Sequence, residues 1–173
     1  MHGVEIDVSL PRREPKRGIG HRGFEIDAAP GLSVAEAASR RDFTVNAIYQ
    51  DPLTGEFADP WNGRADLASR VLRHVSDKFA EDPLRVLRGM QFVARFGLDP
   101  APETVAICRR MSMENLPPER LLEEWKKLLT KGVWISKGLE FLRATGWTRY
   151  FPELGRNSFA LIGSALRSSG VDG

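Results

Sequence analysis

The sequence predicts an α+β protein in two parts: short antiparallel strands with helices up to about residue 75, then a wholly helical remainder. Three observations predict it. Residues 4–10, Val-Glu-Ile-Asp-Val-Ser-Leu, alternate apolar and polar with a period of two, the spacing of a strand with one face inward. Residues 45–58 hold two β-prone runs around Asp51-Pro-Leu-Thr-Gly55, which reads as a hairpin with a five-residue connection. From Asp82 onward apolar residues recur at helical spacing, punctuated by Gly and Pro.

The elements follow in order. Val4, Ile6, Val8 and Leu10 point inward from the first strand, which puts Glu5 and Asp7 together on its other face, as a solvated edge or a cation contact. Arg12, Arg13, Lys16, Arg17 and Arg22 then gather among Gly18, Gly20 and Gly23, a composition that suits either a solvated loop or phosphate contact. Phe24–Asp27 is a second short strand, and Pro30-Gly31 a turn. Ser33 and Glu36 have capping-box spacing and open a short Ala-rich helix. After the hairpin, Leu67, Val71 and Leu72 predict a further helix from Arg64. Asp82-Pro83 opens a helix over 82–96 that stops near Gly97. Helices follow over 103–114, 119–131 and 137–145. The second of these carries Leu121, Leu122, Trp125, Leu128 and Leu129 on one face and a Glu123–Lys127 pair at i,i+4. Trp147, Tyr150, Phe151 and Pro152 form an aromatic knot, and the tail from Gly155 is expected to fray.

The totals are those of an ordinary soluble chain: 173 residues, 42% hydrophobic, 28% charged, net charge +2. The single cysteine, Cys108, lies between Ile107 and Met111 at helical spacing and predicts a buried thiol in a reducing compartment. With no apolar run of membrane-spanning length and no leader-like N-terminus, the expected location is cytoplasmic, away from any membrane.

Two clusters carry candidate chemistry. Asp82 and Arg85 are three apart on one helix face, with Arg88 a turn further on. They make either a capped surface helix with an ion pair or a fixed set of donors and acceptors for a ligand. Arg40, Arg41, Asp42 and Asn46 surround Phe43-Thr-Val45. Paired guanidinium forks suit phosphate, and an Asp and an Asn four apart suit a ribose hydroxyl; the same residues can also tie a helix end to a hairpin.

Taken in order, Arg40-Arg-Asp-Phe-Thr-Val-Asn-Ala47, Asp59-Pro, Gly63, Arg73-His74, Glu81-Asp-Pro-Leu-Arg-Val-Leu-Arg88 and Pro118-Glu-Arg120, with Glu123, Glu124 and Lys127, resemble the class II tRNA nucleotidyltransferases: the CCA-adding enzymes and bacterial poly(A) polymerases. Asp7-Val-Ser-Leu-Pro-Arg12 and Gly20-His-Arg-Gly-Phe24 also look like the bacterial members, so the resemblance runs from about Val4 to Leu154. The resemblance implies transfer of CMP and AMP from CTP and ATP to the 3′ end of tRNA, or, in a poly(A) polymerase, the same scaffold with another nucleotide choice. It implies that Arg40, Arg41, Asp42 and Asn46 contact the sugar and phosphates of the nucleotide, with Asp42 sensing the ribose 2′-OH. Asp82 and Arg85 would read the base edge, Arg88 would support their helix or a phosphate, and Glu119-Arg120 would brace it. Arg12, Arg13, Lys16, Arg17 and Arg22 would contact RNA or phosphate, and Asp59–Asp66 would be a flexible joint. Residues 1–75 would be the later part of a head, 76–135 a neck, and 136–173 the start of a body. The family's Gly-Gly-x-x-Arg-Asp segment and the Asp-x-Asp pair that hold Mg²⁺ are not in this sequence; Asp7 is the possible remaining carboxylate. The expectation is therefore a piece cut at both ends and inactive alone, with an inactive nucleotide- or RNA-binding remnant as the rival reading.

Overall fold

Caps and breakers decide where each element starts and stops. The computed structural model describes residues 32–154, together with the backbone of Arg12–Arg13 and Asp27–Ala28. These two dipeptides are β1 and β2, antiparallel with Arg12 opposite Ala28 and Arg13 opposite Asp27. The strand expected at residues 4–10, most of the second strand and the tail lie outside the described residues.

α1 spans Val34–Ala38 and has the expected capping box: Ser33 Oγ accepts from the Glu36 N–H at 3.2 Å, and the Glu36 carboxylate accepts from the Ser33 N–H at 3.1 Å. The hairpin is shorter than expected. β3 (Tyr49–Gln50) pairs antiparallel with β4 (Phe57–Ala58) across residues 51–56. Val45 belongs instead to a 3-10 turn, Thr44–Asn46, because Asn46 Oδ1 accepts from the Phe43 N–H and folds the chain back there.

α2 covers Gly63–Ala68 and ends where Arg70 takes a φ of 57°. Val71 and Leu72, expected to be helical, form β5 and pair in parallel with β6, Asp99–Pro100. The left-handed Arg70 breaks the helical run, and two β-prone apolar residues then satisfy the backbone of a distant segment.

The helical part runs as α3 (Leu84–Phe96), α4 (Pro102–Arg110), α5 (Pro118–Lys131) and α6 (Ile135–Ala144). α3 is its centre, burying Leu84, Val86, Leu87, Met90, Val93 and Ala94. Each fully buried large apolar side chain contributes roughly 1.5–3 kcal/mol. α6 crosses it at Gly138, where an added Cβ would stand 2.7 Å from the Met90 carbonyl oxygen and 2.9 Å from the Ala94 Cβ. One apolar cluster extends from Phe43 through α3 to Trp147, so the packing crosses residues 75 and 135 without a break. Cys108 lies within it, and burial pushes its thiol up to about 12, as a structural thiol requires. The aromatic knot forms as expected: Trp147 stacks edge-on to Tyr150, Phe151 meets Trp125, and Trp147 Nε1 donates to the Cys108 carbonyl.

Two expectations for α5 need correction. Leu122 and Leu129 are 54% and 67% exposed, so the inward stripe is the narrower Leu121, Glu124, Trp125 and Leu128. Lys127 pairs with Glu124 at 2.7 Å, not with Glu123, because Glu124 lies on the buried face and its charge needs an answer. No helix among the described residues is long and apolar enough to cross a membrane.

Gly138→Ala tests the α3–α6 crossing. Alanine favours the helix by about 1 kcal/mol, but the clash is with backbone and overpacking costs roughly 1–3 kcal/mol. The expected outcome is a lower midpoint in urea unfolding; an unchanged or raised midpoint would show that the two helices are not held this closely.

Candidate functional site

The site begins with a loop tied to a neighbouring segment by backbone hydrogen bonds. The Thr44 N–H donates to the Arg73 carbonyl and the Val75 N–H to the Asp42 carbonyl, so Phe43 sits opposite His74 in a β-bridge. Phe43 is fully buried, its ring 5.4 Å from both Phe79 and Phe92. This burial carries the neighbouring Asp42 below the surface, where it is 5% exposed. Its carboxylate is met on both oxygens. Oδ1 accepts from the Phe43 N–H at 3.0 Å and from Asn46 Nδ2 at 2.5 Å, and Oδ2 accepts from Arg88 Nε at 2.5 Å. Burial works against the Arg88 charge, but the Asp42 charge and hydrogen bond, with the charges of Glu124 and Asp82, outweigh it, so Arg88 holds its proton more tightly than usual.

Arg85, one turn earlier on α3, is anchored by carbonyls. Nη1 donates to the Lys78 oxygen at 2.6 Å and Nη2 to the Arg40 oxygen at 2.7 Å. Burial lowers its pKa, and the charges of Asp82, Asp42 and Glu81 offset part of that. Asp82 is not its ion-pair partner. Asp82 Oδ1 turns back to cap the Leu84 N–H at 3.1 Å, and Oδ2 pairs with Arg120 Nη2 at 3.2 Å. Capping directs the carboxylate along the helix end while Arg85 reaches toward the loop, which is why the expected Asp82–Arg85 pair does not form.

Asp42, Asn46 and Arg88 are thus hydrogen-bonded together, Arg85 is tied to the Arg40 carbonyl, and the charges of Asp82 and Asp42 both act on Arg85, between the loop and the start of α3. Arg41 is exposed and leans over Tyr49, its guanidinium 6.0 Å from the ring. For Arg12 and Arg13 only the backbone is described, and Asp7, Lys16, Arg17 and Arg22 lie outside the described residues. Among the described residues no group of three His, Cys, Asp or Glu side chains is placed to hold a metal ion.

The segment expected to be a flexible joint is braced. Asp59 accepts from the N–H groups of Gly63 and Arg64, capping α2. The Thr44 carbonyl oxygen lies 2.1 Å from where a Cβ on Gly63 would be, so only glycine fits there. Asp66 accepts from Thr44 Oγ1 at 2.7 Å and from Arg73 Nε at 3.2 Å, and Arg73 also pairs with Glu103. Sequence spacing did not reveal this Thr44–Asp66–Arg73 tie, whose members are up to 29 residues apart. Glu124 gave more of a signal, as a charge in the middle of an otherwise apolar helix face.

Residues 5–73 match the family described as the poly A polymerase head domain, and residues 97–156 match the one described as a probable RNA and SrmB-binding site of polymerase A. The multifunctional CCA protein of Xanthomonas oryzae pv. oryzae is 49% identical over 131 residues, which is 72% of this chain and 32% of the relative. That of Nitrosococcus oceani is 43% identical over 156 residues, 87% of this chain and 38% of the relative. A crystal structure of the Bacillus stearothermophilus CCA-adding enzyme in complex with CTP superposes with a TM-score of 0.56 at 32% identity, covering 68% of this chain and 30% of that one. The chain therefore spans about a third of the length of the curated relatives it matches.

His74 couples the loop's anchor to pH. Its backbone N–H and ring Nδ1 both meet Thr104 Oγ1, at 3.0 and 2.9 Å. The hydroxyl accepts from the backbone N–H and shares a hydrogen bond with the ring nitrogen. Burial lowers the His74 pKa; Asp77 opposes this, while Arg73 and Arg110 add to it. A histidine whose folded pKa is depressed binds its proton more readily unfolded, so its stabilisation is complete above about pH 6.5 and is lost as pH falls through the folded pKa. Thermal melting from about pH 7.5 to about pH 5 is expected to show a steeper loss of stability for the natural chain than for His74→Gln. Parallel curves would remove His74 as the source.

Proposed function

We propose, since the chain belongs to the family of CCA-adding tRNA nucleotidyltransferases and bacterial poly(A) polymerases, that it is the nucleotide-reading part of an enzyme transferring CMP and AMP from CTP and ATP to the 3′ end of tRNA, with release of pyrophosphate. The observation that carries this reading is the anchoring of Arg85 by two carbonyls beside Asp82. A guanidinium has five N–H groups. Two of those on Arg85 are spent on holding it in place, and the others remain for a ligand.

The hydrogen-bond polarity favours two bases out of four. Cytosine and adenine each present an amino donor beside a ring-nitrogen acceptor, which match an Asp acceptor and an Arg donor. Uracil and guanine present a carbonyl beside an N–H, the reverse order. The protein would then stand in for a template base. Arg40 and Arg41 suit the triphosphate as charged forks. Asp42 and Asn46 suit the ribose, and Arg12, Arg13, Lys16, Arg17 and Arg22 suit the RNA backbone. Residues 1–75, 76–135 and 136–173 correspond to the later part of a head, a neck and the start of a body. Phosphoryl transfer in such enzymes uses Mg²⁺. A poly(A) polymerase remains the second reading, favoured by the family description of residues 5–73, and differs in the nucleotide chosen.

Titrating CTP, ATP, UTP and GTP into the chain tests the base assignment. Asp82→Ala and Arg85→Ala should each reduce the preference for CTP and ATP by ~1–3 kcal/mol. Unaltered preference in both variants would sink the assignment. Incubated with Mg²⁺, CTP, ATP and a tRNA lacking its terminal CCA, the chain alone is expected to add nothing; robust addition would show that its own residues complete a catalytic site.

A further inference from the structure

Glu124 stands in the middle of α5 with 2% of its surface exposed. Oε1 accepts from Lys127 Nζ at 2.7 Å, but Oε2 is buried without a hydrogen-bond partner among the described residues. A buried carboxylate oxygen with no donor is costly, and its retention is explained if a donor arrives in a second arrangement of the site. The register of α5 against α3 identifies that donor. Arg120, one turn before Glu124, pairs with Asp82. Leu128, one turn after it, reaches the place where Gly138 rests on Met90 and Ala94. Glu124 therefore lies level with the turn of α3 that ends at Arg88, and side chains on a helix lean toward its N-terminus. The negative charge of Glu124 is one of those that act on the Arg88 guanidinium. Arg88 spends only Nε–H on an acceptor among the described residues, Asp42 Oδ2, and keeps spare N–H groups.

We propose that Arg88 is a two-position positioning residue, held by Asp42 in this structure and received by the free Oε2 of Glu124 when the ribose of an incoming nucleotide engages the Asp42 carboxylate. The inference rests on the nucleotide reading above and extends it to Glu124. The handover leaves neither the guanidinium nor the buried Glu124 oxygen unanswered when Asp42 turns to a ligand. It also ties occupancy of the sugar site to the α3–α5 contact, and so to Asp82, which shares Arg120 with α5.

The test is the Arg88 Nε–Hε signal of the whole chain in ¹⁵N NMR, assigned by its loss in Arg88→Lys. CTP should move this signal while leaving it protected from exchange. Asp42→Asn should bring it to the same position without nucleotide. Glu124→Gln should abolish that second position and weaken CTP binding roughly fivefold or more, while leaving the preference for CTP and ATP over UTP and GTP intact. If CTP binds with its preference and the Arg88 signal stays where it was, or if it still reaches the second position in Glu124→Gln, the handover is wrong and the nucleotide reading stands. If the natural chain binds neither CTP nor ATP, the nucleotide reading has failed and the handover falls with it. Should Asp42→Asn not fold, the Glu124→Gln comparison decides alone.

Discussion

A carboxylate taken out of water has to be answered by donors, and the answer that Asp42 finds decides how the first part of this chain meets the helical part. Two of its three donors come from its own loop and the third from Arg88 on α3. The neighbouring Phe43 enforces the same arrangement by an unrelated force, burying its ring between Phe79 and Phe92. Charge and apolar burial thus agree on one position for the loop. From that position follows the Arg40 carbonyl that holds Arg85.

α3 is correspondingly fixed at both ends, by contacts of opposite sign. At its start the Asp82 carboxylate lies against the positive end of the helix dipole and caps it. At its end Arg70 donates to the carbonyls of Phe96 and Gly97, and Lys137 donates to Gly97 and pairs with Asp99. Arg70 comes from the strand-containing part and Lys137 from α6. The same helix terminus is therefore gripped from both sides, and α3 can serve as a rigid rail for the residues on its first turns.

The sequence foretold those parts of the fold that depend on local chemistry. Ser33 and Glu36, Pro118, Gly97 and Gly146 mark helix boundaries through capping and backbone sterics that act within a few residues. Failures came where a distant partner outbid local preference. Val71 and Leu72 have helical spacing but pair with Asp99–Pro100. Asp82 and Arg85 have ion-pair spacing but bond to Arg120 and to two carbonyls. Leu122 and Leu129 fit an apolar stripe whose width depends on where α3 lies beside α5. Motif order singled out the residues proposed for the site, while their connections, above all Asp42 to Arg88 and Thr44 to Asp66, are tertiary and had no signature in spacing.

These connections bear on the proposed reading of a base edge by the first turn of α3. A flexible arginine on an open surface would lose rotamer freedom on binding, and discrimination would be diluted by its many geometries. Arg85 has already lost that freedom, because folding fixed its guanidinium on two backbone oxygens. Asp82 is held differently, by one backbone N–H of its own helix and one side chain of the neighbouring helix. Arg85 is thus set by the carbonyls of Lys78 and Arg40, and Asp82 by its own helix together with Arg120 of α5. In the proposed reading, these two anchored side chains present the fixed polarity, acceptor beside donor, that cytosine and adenine share.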